Sequence, residues 1–369
     1  MLPESTPDAS RPDGPGPDNG PAVTDERVSA MRDALLAWYA AHGRDLPWRR
    51  TRDPYHILLS EMMLQQTQVP RVLPRYLAWL ERFPTLAALA AAPTADVLRA
   101  WSGLGYNSRA VRLQAVARQA VTHNDGRLPG TVEELLALPG IGAYTARAVA
   151  CFAYGQDVPV LDTNVKRVLH RALVGPELPR PALTDRQLWA LAERAVPAGR
   201  GYDWNQGLMD LGAQICTARK PACVVCPLRS ICRAAPAIQG ALADGRHAAR
   251  GAASPAVPFT KTARHYRGQT LRALGALGRG ERLTLDTLGP LVKPDYTAAD
   301  RPWLYTLVAG LGRDGLVTVR METADGRRRT AGAAGEGGGA AAAVREERAA
   351  YDAAPEPDLA AVRVSLPES

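Results

Sequence analysis

The sequence predicts an all-α protein followed by a small module that combines helices with a short strand. From Asp25 to about Ala235, no segment sustains the two-residue alternation of apolar and polar side chains that is typical of strands. Capping residues and prolines recur where helices would begin, and glycines recur where they would end. After a stretch rich in Ala, Gly and Pro, residues 259–320 return to helical patterns that lead into a strand-like segment.

The helix starts follow one another along the first part of the chain. Asp53-Pro54 is an N-cap residue followed by proline at the first helical position, which predicts a helix running to Gln68. Thr131 and Glu134 have the spacing of a capping box, which predicts a helix ending at Leu138. Many short helices of this kind predict one helical domain.

The rest of the chain divides by composition. Residues 1–23 are rich in Pro, Asp and Gly and have almost no large apolar side chains, so they are predicted to be disordered. In the module, 265–277 and 298–313 are predicted helices, and 314–319 reads as a turn into a strand, as in a winged helix. The predicted divisions are a disordered tail (1–23), a helical domain (24–235), a linker (236–258), a winged-helix-like module (259–320) and a disordered tail (321–369).

The charge distribution indicates a polyanionic partner. The chain of 369 residues carries a net charge of +8, and residues 24–320 carry +14 between two tails of −3 each. A basic folded region of this kind is most often a nucleic-acid binder, although an arginine-rich composition from a GC-rich genome would give the same count. No run approaches the roughly 18 uninterrupted apolar residues of a membrane helix, and the N-terminus lacks a signal-peptide pattern. We therefore expect a cytoplasmic protein.

Four cysteines have the spacing C-x6-C-x2-C-x5-C, at Cys216, Cys223, Cys226 and Cys232. Four thiolates in such a short window predict a metal centre, either zinc or iron–sulfur. Zinc ribbons usually present two short C-x-x-C knuckles, and only one is present here, so the unequal loops favour a 4Fe–4S cluster in residues 216–232. Cys151 lies within an apolar stretch and is predicted to be a buried small side chain.

A glycine-containing turn, Leu138-Pro139-Gly140-Ile141-Gly142, joins two predicted helices. Glycines at Gly140 and Gly142 permit a tight turn and a close backbone approach, so that amides at the start of the second helix can bind a phosphate. The alternative is a plain helix–helix turn, which also favours glycine.

Two carboxylates stand out by their surroundings. Asp162 follows an apolar stretch and precedes Thr163, as a helix N-cap does, and helix amides would keep it ionised. Glu61 is the only charge in residues 57–67, so burial would raise its pKa and suit it to act as a general acid. One anionic and one proton-donating carboxyl group divide the work in glycoside cleavage. The alternatives are an ordinary cap and a surface glutamate paired with arginine.

Several motifs together resemble the MutY-type adenine DNA glycosylases of the helix-hairpin-helix superfamily. The resemblance extends from about Leu46 to Cys232 and implies excision of adenine mispaired with 8-oxoguanine or guanine, with a 4Fe–4S cluster as cofactor. The motifs are residues 60–69, Gly103-Leu104-Gly105-Tyr106, residues 138–142, residues 161–168 and the four cysteines.

The resemblance also implies roles for single residues. Glu61 would protonate the flipped adenine and later take part in the reaction with water. Asp162 would stabilise the positively charged sugar. Tyr144 and Asn164 match positions that orient this aspartate. It further implies an adenine pocket at Trp48 and Arg49, and DNA contacts by Gln66, Leu104, Tyr106, Gly140, Gly142 and Lys166.

Tyr144 distinguishes branches of the superfamily. Endonuclease III-like enzymes carry a lysine there, whose amine attacks the sugar and permits strand cleavage, whereas tyrosine cannot form a Schiff base. The resemblance therefore implies a monofunctional glycosylase. Two departures accompany it: Asn107 stands where many members have a second tyrosine, and residues 259–320 do not resemble the usual Nudix-like domain, which leaves the preference for 8-oxoguanine open. Basic residues of the module either contact phosphates or form a solvated face: Arg264, His265, Arg267, Arg272 and Arg279.

Three functions remain open from the sequence. The first is adenine removal from double-stranded DNA by a monomer associated with a bacterial nucleoid. The second is a mismatch thymine or uracil glycosylase on the same scaffold, against which Trp48-Arg49 and the motif around Glu61 argue. The third is an iron–sulfur DNA-binding regulator, which would need neither Glu61 nor Asp162 beside an anionic backbone.

Overall fold

The computed structural model describes residues 23–177, 181–244, 258–321, 329–330 and 358–368. The predicted disordered tail 1–23 lies outside the described residues, apart from Val23. The chain divides into two compact units, one formed by Met1–Asp45 with Gly155–Arg250 and the other by Leu46–Tyr154 with Gly251–Ser369. The predicted helical domain therefore contributes to both units, and the C-terminal module belongs to the second.

The first unit is helical and is built around its longest helix, which begins after the N-cap Thr24 and carries two acidic residues in its first turn. The helix after Asp162 continues into a π-helical turn at His170–Val174. A single 3-10 turn lies between the cysteines, at Cys223–Val225. Its helices are α1 (Asp25–His42), α9 (Thr163–Leu169), α10 (Asp185–Ala195), α11 (Gly201–Gln214) and α12 (Ala235–Ala243).

A close crossing of α1 and α11 forms the centre of the first unit. A Cβ added at Gly207 of α11 would lie 3.2 Å from Tyr39 Cβ and 3.4 Å from Leu35 Cγ, so the glycine permits the approach. Beside it, Asp210 is fully buried and accepts hydrogen bonds from the Arg44 side chain and backbone at 2.7 and 2.9 Å. A buried carboxylate requires such pairing, which ties the loop after α1 to α11.

The second unit begins with seven helices. Asp53 caps α2 as predicted, accepting from the Tyr55 amide at 2.8 Å. However, α2 ends at Leu64 instead of Gln68, because the backbone leaves the helical conformation at Gln65 (ψ 111°) and Gln66 is left-handed (φ 55°). The capping box at Thr131 is present, and its helix ends at Leu136, before Leu138. The helices are α2 (Pro54–Leu64), α3 (Val69–Arg82), α4 (Leu86–Ala91), α5 (Thr94–Trp101), α6 (Ser108–His123), α7 (Val132–Leu136) and α8 (Ala143–Phe152), preceded by a 3-10 turn at Pro47–Arg49. No helix in the described part of either unit is long and apolar enough to cross a membrane.

The C-terminal module adds three helices and an antiparallel sheet to the second unit. The predicted helices and strand are present, with bounds shifted by a few residues. The sheet has the order β1-β4-β2-β3, with Val319 opposite Val364 and Leu283 also opposite Val364. The elements are α13 (Ala263–Gly275), β1 (Leu283–Thr284), α14 (Leu285–Val292), α15 (Arg301–Arg313), β2 (Thr318–Met321), β3 (Arg329–Thr330) and β4 (Val362–Ser365).

Two boundary predictions differ from the structure. The predicted tail 321–369 contributes β4 to the interior of the sheet, where Val362 and Val364 are fully buried. Alternation of these valines with polar residues is a strand signal, but it is too short to be recognised beside a long stretch of low complexity. The predicted linker 236–258 begins too early, since α12 extends to Ala243; residues 245–257 lie outside the described ones.

Candidate active site

Glu61 lies in the interior of the second unit, on the third turn of α2. Its side chain is buried (6% exposed), and so are all residues of α2 from Ile57 to Met63. The Tyr144 hydroxyl, from the first turn of α8, donates a hydrogen bond of 2.8 Å to Glu61 Oε2. The resemblance implies that Tyr144 orients Asp162; within the second unit, its hydroxyl contacts Glu61. A donor of this kind stabilises the carboxylate form of a buried acid.

Asp162 lies in the first unit as the N-cap of α9. Its Oδ1 accepts from the Val165 amide at 2.6 Å, and its Oδ2 accepts from Asn164 Nδ2 at 3.0 Å. Both oxygens of the half-buried carboxylate therefore have donors, and the N-terminus of α9 adds the positive end of its dipole. The arrangement fixes the orientation of the Asp162 carboxylate.

Arg167 connects this aspartate to the cysteine segment within the first unit. Its Nη2 donates to Asn164 Oδ1 at 2.9 Å and to the Gly212 carbonyl at 2.8 Å, and its Nε donates to the Cys216 carbonyl at 2.8 Å. Burial lowers the pKa of Arg167, partly offset by Cys216, but arginine remains charged at neutral pH. The backbone that carries the first cysteine is thereby bonded to the residue that orients Asp162.

The four spaced cysteines are half-buried free thiols at the end of the first unit. The pKa of Cys226 is raised to about 12, mainly by burial and in smaller part by the charges of the other three cysteines. The thiols are thus near one another, and the guanidinium of Arg171 lies 3.7 Å from Cys216 Sγ. Cluster binding must release their protons.

The donor set suits an iron–sulfur cluster. Thiolates are the ligands such clusters use, and the adjacent arginines supply positive charge that favours the thiolate form. Among the described residues, no three His, Cys, Asp or Glu side chains already stand as a metal-binding group, so the fit rests on the chemistry and spacing of the four sulfurs. Cys151 is fully buried in α8 and takes no part in this set.

The glycine turn between α7 and α8 has the geometry of a tight hairpin. Gly140 has a φ of +73°, and a Cβ there would meet Arg112 Cδ at 2.7 Å, so conformation and packing both require glycine. Gly142 is the N-cap of α8, and a Cβ at this position would meet nothing within 4 Å. Gly142 is exposed, so a ligand can approach the N-terminal end of α8, where a phosphate site would lie.

Gln66 and Tyr106 lie together on the surface of the second unit. Each is a non-glycine residue with positive φ (55° and 48°), a conformation that costs about 1–3 kcal/mol and persists where neighbouring structure enforces it. The Tyr106 hydroxyl donates to Gln66 Oε1. The two side chains predicted to enter the base stack thus form one projecting pair.

Arg109 holds the backbone of these two loops in place, and its role was not predicted from the sequence. Its guanidinium is buried (4% exposed), and burial lowers its pKa to about 10. The signal was present: Arg109 occupies the apolar face of α6, four residues before Leu113. Its nitrogens donate to the carbonyls of Met62 (2.6 Å), Gln65 (2.6 Å) and Gly105 (3.0 Å), and to those of Met63, Leu104 and Tyr106.

The remaining predicted site residues differ in their burial and in their contacts. Trp48 is buried (5% exposed) and packs edge-on against Tyr76. Arg49 beside it is half-buried. Leu104 is buried, so its side chain does not reach the surface. In the first unit, Lys166 forms an ion pair with Asp185 at 2.8 Å.

Comparison with known protein families agrees with this geometry. Residues 59–194 match the family described as HhH-GPD superfamily base excision DNA repair protein. Residues 216–232 match the iron-sulfur binding domain of endonuclease III, which assigns the four cysteines to a 4Fe–4S cluster.

Two named relatives and one solved structure show which kinds of glycosylase this chain is similar to. The adenine DNA glycosylase of Mycolicibacterium smegmatis is 44% identical over 306 residues, which cover 81% of this chain and 95% of the relative. The human adenine DNA glycosylase is 46% identical over 216 residues, covering 56% of this chain and only 40% of the human protein. Among solved structures, a thermostable thymine-DNA glycosylase aligns with a TM-score of 0.54 and 33% identity, over 58% of this chain and 98% of its own.

Proposed function

The chain belongs to the adenine DNA glycosylases of the HhH-GPD superfamily, and from that membership we propose that it removes adenine mispaired with 8-oxoguanine or guanine without cutting the DNA strand. As a family member it is a base-excision-repair enzyme that hydrolyses an N-glycosidic bond of DNA and carries a 4Fe–4S cluster. We propose three further points: which mispair is the substrate, that the strand is not cleaved, and which residues carry the reaction.

Glu61 acts on the base. A buried carboxyl group holds its proton more readily than an exposed one and can pass it to the adenine ring, making adenine a better leaving group. The Tyr144 hydroxyl then stabilises the carboxylate that remains, at 2.8 Å. In that form Glu61 accepts a proton from water, which adds to the sugar carbon as the base departs.

Asp162 acts on the sugar. Breaking the glycosidic bond leaves positive charge on the sugar ring, and a fixed carboxylate stabilises that charge. Asn164 and the Val165 amide hold both oxygens of Asp162, so little reorganisation is needed during the reaction. The cluster loop supports this arrangement through Arg167, which also bonds to the Cys216 carbonyl.

The observation that carries the proposal is the hydrogen bond between Tyr144 and Glu61. An enzyme that cleaves the strand needs an amine that can form a Schiff base with the sugar. Here the side chain that contacts the acid is a phenol, which donates a hydrogen bond and cannot form that intermediate. The proposal therefore includes base release without strand cleavage.

Gln66 and Tyr106 assist the base in leaving the duplex. Flipping one base costs a few kcal/mol, and side chains that enter the vacated stack offset part of this cost. Their projecting backbone conformation, enforced by Arg109, makes them suited to that role. Since one mispair has no symmetry, the protein is proposed to act on it as a monomer.

The proposal is tested by single-turnover reactions on labelled duplexes that contain A·8-oxoguanine, A·G, A·C, T·G or U·G. Products are separated with and without alkali, because alkali breaks the strand only where a base has been lost. We expect loss of adenine opposite 8-oxoguanine or guanine, and breaks only after alkali. Strand breaks without alkali would contradict the monofunctional reaction.

A thymine or uracil mismatch glycosylase is the second candidate. The solved thymine-DNA glycosylase that aligns with this chain supports it, at 33% identity. The full-length mycobacterial relative favours adenine, at 44% identity over 95% of its length. Loss of thymine or uracil from the T·G and U·G duplexes, with adenine retained in the others, would favour this second candidate.

A further inference from the structure

A basic groove lies within the second unit, between the 103–108 loop and α13 of the C-terminal module. Its cavity measures about 890 Å³, and its walls contain five arginines and one histidine but no aspartate or glutamate. The groove begins at Tyr106. An excess of positive charge along an open cleft favours an anionic chain over a small neutral ligand.

Arg264 is the cation nearest to Tyr106. Its guanidinium lies 3.9 Å from the centre of the Tyr106 ring, close enough for a cation–π contact. Among the described residues it forms no ion pair with a carboxylate, and neither does Arg71 across the groove. By contrast, Arg267 is paired with Asp314. No carboxylate in the described part of the chain neutralises the positive charges of Arg264 and Arg71, so both can bind an anionic ligand.

The wall that carries Arg264 is fixed to the helical part of the second unit. Arg99 of α5 donates to the carbonyls of Gly275 and Leu277 at 3.1 and 2.9 Å, at the end of α13. Its third nitrogen, Nη1, is paired with Asp96 at 2.9 Å. A groove with anchored walls can position a ligand instead of merely attracting it.

We propose that this groove binds the sugar-phosphate backbone of DNA beside the separated base pair, with Arg264 and Arg71 contacting phosphates. The inference rests on the proposed function, because it takes Tyr106 as a residue that enters the base stack. Arg264 covers one face of the Tyr106 ring in the free protein. A base that stacks on that face displaces the guanidinium, which then turns to a phosphate.

The test measures DNA affinity against salt concentration, using a duplex with 2′-fluoro-2′-deoxyadenosine opposite 8-oxoguanine so that the bond is not cleaved. Each phosphate contact contributes about 0.9 to the slope of log Kd against log salt. We expect Arg264→Gln and Arg71→Gln each to lower the slope by about 0.9 and to weaken binding roughly 5- to 10-fold at low salt. Arg264→Lys should restore most of the slope, because lysine keeps the charge.

Arg313→Gln is the matched control, since Arg313 is exposed on the same module and does not line the groove. It should keep the wild-type slope. Equal slopes for Arg264→Gln, Arg71→Gln and wild type would overturn the inference.

Adenine release by the wild-type protein on a normal A·8-oxoguanine duplex is measured separately. If adenine is released and the slopes are equal, the inference about the groove is wrong while the proposed function stands. If the slopes fall but no duplex loses adenine, the groove binds DNA while the proposed function fails.

Discussion

At the scale of single residues, the account depends on donors placed beside two acids. Glu61 is buried on α2 with the Tyr144 hydroxyl at Oε2, and Asp162 caps α9 with donors on both oxygens. Chemically equivalent carboxyl groups thus receive different surroundings, one apolar and buried, the other half-buried at a helix start. Under the proposed function, such differences suit Glu61 to proton transfer and Asp162 to charge stabilisation.

Tyr144→Phe tests the donor to Glu61. The substitution removes the hydroxyl and keeps the ring, and a hydrogen bond to a charged group contributes about 1.5–3 kcal/mol, so the single-turnover rate should fall about 10- to 100-fold. Tyr154→Phe is a control, because its hydroxyl donates to the Leu128 carbonyl on the same unit. An unchanged rate in Tyr144→Phe would show that the hydroxyl takes no part in the reaction.

Arg109→Met tests the residue that supports the two projecting loops. Loss of the guanidinium leaves several buried carbonyls without a donor, so the free energy of unfolding should drop by about 3–5 kcal/mol in urea denaturation. Arg118→Met on the same helix removes a more exposed guanidinium and should cost about 1 kcal/mol or less. Equal losses in the two variants would contradict the role assigned to Arg109.

At the scale of elements, the first unit brings α9, α11 and the cysteine segment together. Asn164 of α9 lies against Gly212 of α11, where a Cβ would meet Asn164 Cβ at 2.9 Å. Arg167 bonds to both the Gly212 and Cys216 carbonyls. The helix crossing and the cluster loop therefore share the task of orienting Asp162.

Gly212→Ala tests this crossing. The added methyl must displace Asn164, so the single-turnover rate should fall about 10-fold, as expected when a group is misplaced by a fraction of an ångström, and the visible absorbance of the cluster should persist. Gly240→Ala in α12 meets nothing within 4 Å and should stabilise the protein by roughly 0.5–1 kcal/mol. A wild-type rate in Gly212→Ala would mean that Asn164 does not need its present position.

A chain that ends at residue 357 tests the contribution of β4. Removing this strand exposes the edges of β1 and β2, so amide protons of Thr318–Met321 should exchange much faster, while those of α11 keep their protection. The chain that ends at residue 368 serves as the control. Unchanged protection of β2 would show that β4 is dispensable for the sheet.

At the scale of the whole molecule, local signals in the sequence predicted much of what the structure contains. The capping residues at Asp53, Thr131 and Asp162 mark helix starts because each satisfies amides only a few residues away. The spacing of the cysteines is equally local. Local patterns of this kind can be recognised without knowing the packing.

What was not predicted depends on distant contacts. Arg109 bonds to carbonyls more than forty residues earlier in the chain, and β4 pairs with strands that precede a long stretch of low complexity. The division into two units also depends on which helices pack together, a property no short motif records. The early end of α2 follows from the left-handed Gln66, which Arg109 helps to hold.

Single-turnover release of adenine from an A·8-oxoguanine duplex by Glu61→Gln and Asp162→Asn tests whether the two carboxyl groups divide the reaction between them. Glu134→Gln and Asp33→Asn are the matched controls on exposed acids. Each active-site variant should lose at least about 1,000-fold in rate, corresponding to about 4 kcal/mol, while duplex binding and the cluster absorbance remain. Adenine release at the wild-type rate in either variant would contradict the division of work between the two carboxyl groups.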